Sequence, residues 1–283
     1  MKIRLYTLVW GREYTELFLK YSLPSHGLDQ VDFAGFDVKY RIYTDQQDLI
    51  RQHPAFEPIK AFTEFRPLTT DTNIQDQPGV VQDIMHQYYK SFLKEAYDED
   101  AYFRSITPDI IVSPGAMATA LKRIREGYRA VVIPTGAMRV EPDLIKDPSM
   151  PGVFFSAMHK ETRDHFIDSP NFHPQPAMYL TKTDYGAEVK SYLCQPFIIR
   201  QQYSRKFRHA EYDFISTAVP DMKEIYIVPD SREMFEVSIT KPYLPHHLWG
   251  PGTFSFDRMQ EWMKGKINPH MKTFFDRGYK IYA

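Results

Sequence analysis

Residues 3–11, IRLYTLVWG, form a run dominated by aliphatic, β-branched and aromatic side chains that stops at a glycine. Such a run predicts a buried β-strand, and Gly11 favours a tight turn after it. An acidic stretch rich in Tyr and Leu follows from Glu13 to Leu23 and predicts a helix. The chain therefore opens with a strand, a turn and a helix.

The same order of elements recurs through the first half of the chain. YRIY, at residues 40–43, ends at Thr44-Asp45 before a helix-like segment, and apolar residues recur at helical spacing from Val80 to Ala96. Three further strands are predicted at residues 101–103, 110–112 and 130–133, and a helix is predicted at residues 116–126. This alternation predicts an α/β fold with a mostly parallel, Rossmann-like central sheet that is covered by helices on both faces.

The second half changes character after the loop at residues 146–152. Short apolar segments separated by Pro, Asp and Ser predict strands of a smaller mixed α+β region, at residues 177–181, 192–199, 224–228 and 234–239. Residues 259–275 predict a terminal helix that is broken near Pro269, and an apolar tail follows at residues 279–282. We divide the chain into residues 1–145 and 146–283 and expect the two halves to share one sheet as one continuous domain.

The composition excludes several classes of protein. Of the 283 residues, 43% are hydrophobic and 25% are charged, which excludes disordered chains and simple coiled coils. Lys and Arg number 35 and Asp and Glu 36, so the net charge of −1 provides no global field toward nucleic acid or anionic lipid. The single cysteine, Cys194, excludes an internal disulfide framework and a cysteine-based zinc site.

The chain also lacks the patterns of membrane insertion and secretion. No segment approaches the roughly 20 apolar residues that span a bilayer, and the first residues lack the pattern of a signal peptide. We therefore expect a cytoplasmic protein without a membrane span. The oligomeric state stays open.

Candidate ligand-binding residues lie where the predicted strands end. In an open parallel sheet, ligands bind outside the carboxyl ends of the strands. Backbone amides and the Trp10 ring suit a base and ribose, and Asp109 suits a divalent metal that holds a diphosphate. Asp45 and Asp109 fit equally well as caps of helices or turns. The predicted nucleotide-binding residues are Thr7, Leu8, Val9, Trp10, Gly11, Thr44 and Asp45.

The first half resembles the nucleotide-sugar-dependent glycosyltransferases of the GT-A fold. The matching segments occur in the same order along the chain: LYTLVWG at residues 5–11, YRIYTD at 40–45, YFRSITPDIIVSPGAM at 102–117 and AVVIP at 130–134. The resemblance implies a GT-A-like sheet, with a nucleotide-sugar-binding half at residues 1–145. It implies an acceptor-side half with a C-terminal helix at residues 146–283, where the chain resembles uncharacterised bacterial glycosyltransferase-like proteins less specifically.

The metal site of that family is matched only in part. Its members usually carry Asp-x-Asp, whose carboxylates bind Mg²⁺ or Mn²⁺, whereas this chain has Thr107-Pro108-Asp109 and keeps only the second carboxylate. A second similarity is His247 in HLWGPG, at residues 247–252, which resembles the His-x-x-Gly segment of some retaining members. The resemblance implies Asp109 and His247 as ligands for Mn²⁺ or Mg²⁺, while His247 fits equally well in a solvated loop.

Several further residues are candidates for the acceptor side. Asp213 could take the acceptor's proton in an inverting transferase, and it fits equally well as the cap of the following helix. His86, on the edge of the apolar helix stripe, could bind a sugar hydroxyl or simply be a histidine at the edge of the core. His159 and Arg163 could bind an anionic sugar or a phosphate, or belong to a polar loop and a surface helix. The basic stretch at residues 200–209, RQQYSRKFRH, could bind a polyanionic acceptor.

The phosphate-binding GxxxxGK[ST] and the GxGxxG, GxSxG and HExxH motifs are missing from the sequence. The leading hypothesis is thus a glycosyltransferase that moves a sugar from a nucleotide-sugar donor to the hydroxyl of a glycan or other acceptor, with Asp109 and Asp213 as catalytic residues. The alternative is a non-catalytic nucleotide-sugar- or carbohydrate-binding or scaffold protein with a degenerate GT-A fold.

Overall fold

The first helical segment and the first strand show how the sequence pattern becomes structure. The computed structural model describes residues 1–68, 78–134, 178–192, 194–202, 214–239, 261, 264–265 and 267–282. In it, strand β1 spans Lys2–Leu8, and all its residues after Lys2 are buried. It ends before Gly11, whose φ of 71° and ψ of 153° are accessible mainly to glycine. The chain then enters helix α1 (Arg12–Leu17), a π-helical turn (Phe18–Ser22) and helix α2 (Leu23–Ser25).

The remaining elements follow in chain order. The helices are α3 (Gln47–Gln52), α4 (Pro78–Asp98), α5 (Ala116–Arg125), α6 (Phe214–Ala218) and α7 (Pro269–Arg277), with 3₁₀ segments at Pro54–Phe62 and Met222–Glu224. The strands are β2 (Asp37–Tyr43), β3 (Thr63–Arg66), β4 (Tyr102–Ser105), β5 (Ile110–Val112), β6 (Ala130–Ile133), β7 (Met178–Thr183), β8 (Gly186–Ser191), β9 (Gln195–Ile199), β10 (Ile225–Ile227), β11 (Glu236–Ser238) and β12 (Tyr279–Tyr282).

Seven strands of the described residues form the central sheet, in the order β10-β6-β9-β4-β1-β2-β3. All neighbouring pairs are parallel except those made by β9, which is antiparallel to both β4 and β6. The predicted mostly parallel sheet with flanking helices is therefore confirmed as a mixed α/β, Rossmann-like architecture. The sheet contains strands from both halves of the chain.

Two apolar cores lie on opposite faces of the sheet because successive residues of β1 point to opposite sides. Ile3 and Leu5 belong to one core, with residues of the π-helical turn and α5. Tyr6 and Leu8 belong to the other, where the Tyr6 ring stacks on Phe92 of α4 with ring centroids 4.7 Å apart. The central strands are consequently covered on both faces, as their apolar composition predicts.

The second half contributes strands both to the central sheet and to a smaller sheet of its own. Strands β9 and β10 join the central sheet, and the side chains of Phe197, Ile198 and Ile199 in β9 are fully buried there. Only β7, β8 and β12 form a separate antiparallel sheet among the described strands of this half. The position of β9 between β4 and β6 was not predicted, because an apolar run of five residues does not show which neighbours will bury it.

Residues 110–112 differ from the prediction, whereas the C-terminal helix begins at the predicted break near Pro269. Strand β5 lies outside the central sheet and pairs antiparallel with β11. Helix α7 begins at Pro269, where Asn268 caps it by accepting a hydrogen bond from the Met271 N–H at 2.9 Å. Strands β3 and β8 were not predicted. None of the described helices has the length and apolarity that crossing a membrane requires.

Candidate functional site

The carboxyl ends of β4, β1 and β2 lie side by side, because these three strands are adjacent and parallel. Tyr6 is paired with Ser105 of β4, and Leu8 with Tyr43 of β2. The segments that follow these strands therefore emerge along one boundary of the sheet, which we call the carboxyl edge. The structure thus brings together three of the sequence-predicted segments, those containing Gly11, Asp45 and Asp109.

Gly11 and Asp45 are in direct contact at this edge. The Gly11 N–H donates to Asp45 Oδ1 at 3.0 Å, and the Gly11 carbonyl accepts from the backbone N–H and the hydroxyl of Thr15, at 3.2 and 2.8 Å. Asp45 itself is exposed, and Trp10, which precedes Gly11 in the sequence, is half-buried. These contacts fix the turn after β1 and leave the Trp10 ring and the Asp45 carboxylate partly accessible to a ligand.

Other predicted nucleotide-binding residues lie beneath the surface. Leu8 and Val9 are buried in the two cores, and Thr7 is fully buried. The Thr7 hydroxyl lies 2.6 Å from the Tyr40 hydroxyl and donates to the Ile106 carbonyl at 2.7 Å.

Thr44 is also buried, and its hydroxyl accepts from the Gln46 N–H at 2.9 Å. These four side chains support the carboxyl edge from within. Their assignment to nucleotide binding stays a prediction.

Asp109 lies in the turn that joins β4 to β5. The Ile110 N–H donates to the Thr107 carbonyl at 3.1 Å, which closes the turn, and the Asp109 side chain is half-buried. Its Oδ2 accepts from the Ser238 hydroxyl at 2.9 Å, and its carbonyl accepts from the Ile239 N–H at 2.7 Å. The carboxylate is therefore held in a defined orientation at the edge by the end of β11.

Tyr89 of α4 adds a hydroxyl to the same place. The Ser105 hydroxyl donates to the Tyr89 hydroxyl at 3.0 Å, and the Tyr89 hydroxyl lies 3.4 Å from Thr107 Oγ1. Burial raises the pKa of Tyr89, and the charge of Asp109 raises it further. The hydrogen bonds with Ser105 and Thr107 lower this pKa, but burial dominates. Tyr89 is therefore a neutral phenol at physiological pH, beside Thr107.

His86 precedes Tyr89 by three residues on α4, so the two lie on neighbouring turns of one side of the helix. Because Tyr89 contacts Ser105 and Thr107, the middle of α4, which contains His86, lies near the carboxyl edge. The His86 side chain is exposed. Its assignment to sugar binding stays a prediction.

A buried charged cluster lies behind the edge, on the opposite face of β4 from α4. Two N–H groups of Arg104 each lie 3.5 Å from Glu236 Oε2, and the guanidinium stacks 3.9 Å from the Phe197 ring centroid. His26 Nε2 accepts from Arg104 at 3.2 Å, and His26 Nδ1 donates to the Ser22 carbonyl at 2.8 Å. These two contacts assign the proton of the neutral ring to Nδ1.

Burial sets the protonation of this cluster. It lowers the pKa of His26 to about 3, with the charge of Arg104 acting in the same direction, so the ring is neutral. Burial also raises the pKa of Glu236, and Arg104 opposes that rise. Each group therefore depends on its partner, and the cluster is sensitive to the loss of any one member.

Sequence reasoning missed Tyr89, Ser238 and the Arg104–Glu236 pair. Tyr89 belongs to the apolar stripe of α4, so its spacing indicated only a core position. Ser238 and Glu236 lie 129 and 132 residues from their partners, and no local pattern joins them. A charged residue inside an otherwise apolar strand, as Arg104 is in β4, was the one available signal.

The other predicted site residues, Asp213, His159, Arg163 and His247, lie outside the described residues. The predicted metal pair is therefore represented by Asp109 alone. Among the described residues, no group of three or more His, Cys, Asp and Glu side chains is arranged to hold a metal ion. Asp109 and Asp45 both lie at the described part of the carboxyl edge, and the assignment of Asp109 as a metal ligand stays a prediction.

Comparison with known proteins identifies no family. No family model matches the chain, and neither does any curated protein. A crystal structure of Staphylococcus aureus TarS 1-349 matches with 14% identity and a TM-score of 0.31, covering 50% of this chain and 36% of that one. A crystal structure of S. aureus TarS matches with 16% identity and a TM-score of 0.33, covering 52% and 24%. The chain thus spans well under half of either protein, and at these TM-scores we draw no conclusion from the likeness.

Proposed function

We propose that the protein is a glycosyltransferase that transfers a sugar from a nucleotide-sugar donor to an acceptor hydroxyl, on a GT-A-like fold. The observation that carries the proposal is the arrangement of Trp10, Gly11, Asp45 and Asp109 along one carboxyl edge of a mostly parallel sheet. Ligands of such sheets bind at this edge. The order of the segments that resemble GT-A transferases adds support.

In this proposal each segment has a separate task. The half-buried Trp10 ring stacks on the nucleobase, and the Asp45 carboxylate accepts hydrogen bonds from the nucleoside while it keeps the turn at Gly11 closed. Asp109, oriented by Ser238, faces the sugar diphosphate. Asp109 and His247 are proposed to ligate Mn²⁺ or Mg²⁺, whose chemistry is to neutralise the negative charge of the diphosphate.

The acceptor side is proposed from the second half of the chain. Asp213 would take the proton of the acceptor hydroxyl, and His86, His159 and Arg163 would orient the donor sugar or the acceptor. Among these four residues, only His86 belongs to the described part of the chain, in the middle of α4 and three residues before Tyr89. The stereochemical outcome stays open.

The alternative function is nucleotide-sugar or carbohydrate binding without catalysis. The specific observation in its favour is Thr107, which occupies the place of the first carboxylate and lies 3.4 Å from the Tyr89 hydroxyl. A site with one carboxylate binds a divalent cation more weakly than one with two, and the cation supplies much of the stabilisation of a leaving diphosphate. Both functions include nucleotide binding, so turnover distinguishes them.

The first experiment is a thermal-shift screen against the diphosphates of uridine, guanosine, cytidine and thymidine and their common sugars, with and without Mn²⁺. A ligand at about a hundred times its Kd stabilises the protein by about 2.7 kcal/mol. Ligands that shift the melting temperature are then tested for sugar hydrolysis and transfer. Binding with turnover supports the transferase, binding without turnover supports the alternative, and the absence of both overturns the proposal.

Asp109→Asn tests the role of the carboxylate. The variant keeps the size of the side chain and an oxygen that accepts from Ser238, so we expect an unchanged melting temperature and loss of turnover. Asp100→Asn is the matched control, because Asp100 is exposed, precedes the amino end of β4 and has a φ of 53°, which asparagine tolerates. Turnover by Asp109→Asn at the wild-type rate would remove Asp109 from the mechanism.

A further inference from the structure

The orientation of Asp109 depends on a strand that lies far away in sequence. The end of β11 contacts Asp109 twice, through the Ile239 N–H at 2.7 Å and the Ser238 hydroxyl at 2.9 Å. The first contact fixes the backbone of Asp109, and the second fixes its carboxylate. A hydrogen bond to an ionised carboxylate is stronger and more directional than one between neutral groups.

Strand β11 needs an anchor of its own. It has three residues and pairs with β5, which also has three, and an isolated pair of short strands is marginally stable in water. Reciprocal hydrogen bonds join Phe235 and Ser113 at the other end of the pair, at 2.8 and 2.9 Å. These bonds hold β11 to β5 but do not attach the pair to the central sheet.

The Glu236–Arg104 ion pair makes that attachment. Glu236 lies in β11 and Arg104 in β4, and both side chains are almost fully buried. A buried ion pair is weak evidence for stability, because apolar residues of similar size often stabilise a core as well or better. It does impose a register, since only one position of β11 brings a carboxylate to the guanidinium.

The register of β11 connects this anchor to Asp109. Glu236 and Ser238 are two residues apart in a strand, so their side chains leave the same face. In the pair of β5 and β11, Glu236 lies opposite Val112 and Ser238 lies opposite Ile110. The Glu236 side chain therefore reaches the central sheet, and the Ser238 side chain reaches the turn before β5. A shift of one residue would turn both away from their partners.

We propose that Ser238 is a positioning residue for Asp109 and that the buried Glu236–Arg104 pair sets the register that delivers it. The consequence for catalysis rests on the proposed function, whereas the positioning itself does not. Ser238 acts through Asp109 and is not itself a catalytic residue. The specific expectation is that loss of the Ser238 hydroxyl impairs turnover more than it impairs donor binding.

The kinetic test uses Ser238→Ala, Ser238→Thr and the control Ser113→Ala, with the nucleotide sugar that the thermal-shift screen identifies. In Ser238→Ala we expect kcat to fall about 10-fold or more, the range expected for loss of a hydrogen bond to a charged group, with KM changed less than about 3-fold. Ser238→Thr should recover kcat to within about 3-fold because it keeps the hydroxyl. Ser113→Ala disturbs the same strand pair without contacting Asp109, so its kcat should stay at the wild-type value.

Unchanged kcat in Ser238→Ala would overturn the positioning role. An equal loss of kcat in Ser113→Ala would do the same, because it would show that general loosening of the strand pair explains the effect.

A second measurement is independent of activity. A double-mutant cycle of Ser238→Ala and Asp109→Ala, measured by urea unfolding, isolates the coupling of the two side chains. We expect a coupling of about 10-fold in the unfolding equilibrium constant, as for a hydrogen bond to a charged group. A coupling below about 2-fold would overturn the inference. If the wild type turns over no nucleotide sugar, the proposed function fails and the cycle alone decides the positioning.

Discussion

Acid is expected to destabilise this protein through His26. The ring is 2% exposed, donates from Nδ1 to the Ser22 carbonyl and accepts an Arg104 N–H at Nε2. Protonation of Nε2 would replace that acceptor with a second donor, beside a buried cation. The pKa of His26 therefore falls from 6.5 to about 3 in the folded protein.

The sign and size of the effect follow from this difference. The unfolded chain binds the proton between pH 6.5 and about pH 3 and the folded protein does not, so stability is lost as the pH falls through this window. The loss approaches about 1.4 kcal/mol per pH unit, which gives about 2–3 kcal/mol between about pH 7 and about pH 4.5. The raised pKa of Glu236 acts in the opposite direction, because the folded protein then binds a proton more readily.

Urea unfolding of the wild type and His26→Gln at these two pH values isolates the histidine. Glutamine does not titrate, whereas Glu236 and the other carboxylates are present in both proteins and largely cancel in the comparison. We expect the free energy of unfolding of the wild type to fall by about 2–3 kcal/mol more than that of the variant. Equal pH dependence in the two proteins, within about 0.5 kcal/mol, would refute a neutral buried His26.

Two further predictions concern the carboxyl edge. Thr7→Val should lower the free energy of unfolding by about 1–3 kcal/mol in urea, because the buried Tyr40 hydroxyl and Ile106 carbonyl lose a partner, while Thr7→Ser should lose less. Gly11→Ala should lower the free energy of unfolding by about 1–3 kcal/mol, because φ 71° and ψ 153° are strained for alanine. It should also weaken any nucleotide-induced thermal shift, because it displaces the turn that Asp45 closes. Wild-type stability of Gly11→Ala would show that the turn adopts another conformation.

Local pattern was sufficient for several elements of the first half, although it did not indicate β3. The strand at residues 130–133 is observed with its predicted bounds, and the helix predicted from Val80 to Ala96 is observed as Pro78–Asp98. Both signals are periodic or continuous apolar runs, which a single segment contains in full. The convergence of Gly11, Asp45 and Asp109 was also predictable, because the carboxyl ends of neighbouring parallel strands meet at one edge.

The sequence by itself therefore determined the α/β class, the parallel core of the sheet and three of the segments at its carboxyl edge. Only the tertiary structure decided that β9 inserts antiparallel between β4 and β6, and that Ser238 and Glu236 reach Asp109 and Arg104. The physical reason is that periodicity reports whether a residue is buried, whereas the identity of its partner depends on contacts between residues that are about 70 to 130 positions apart. Those contacts also set the protonation of His26 and Glu236, which no local spacing specifies.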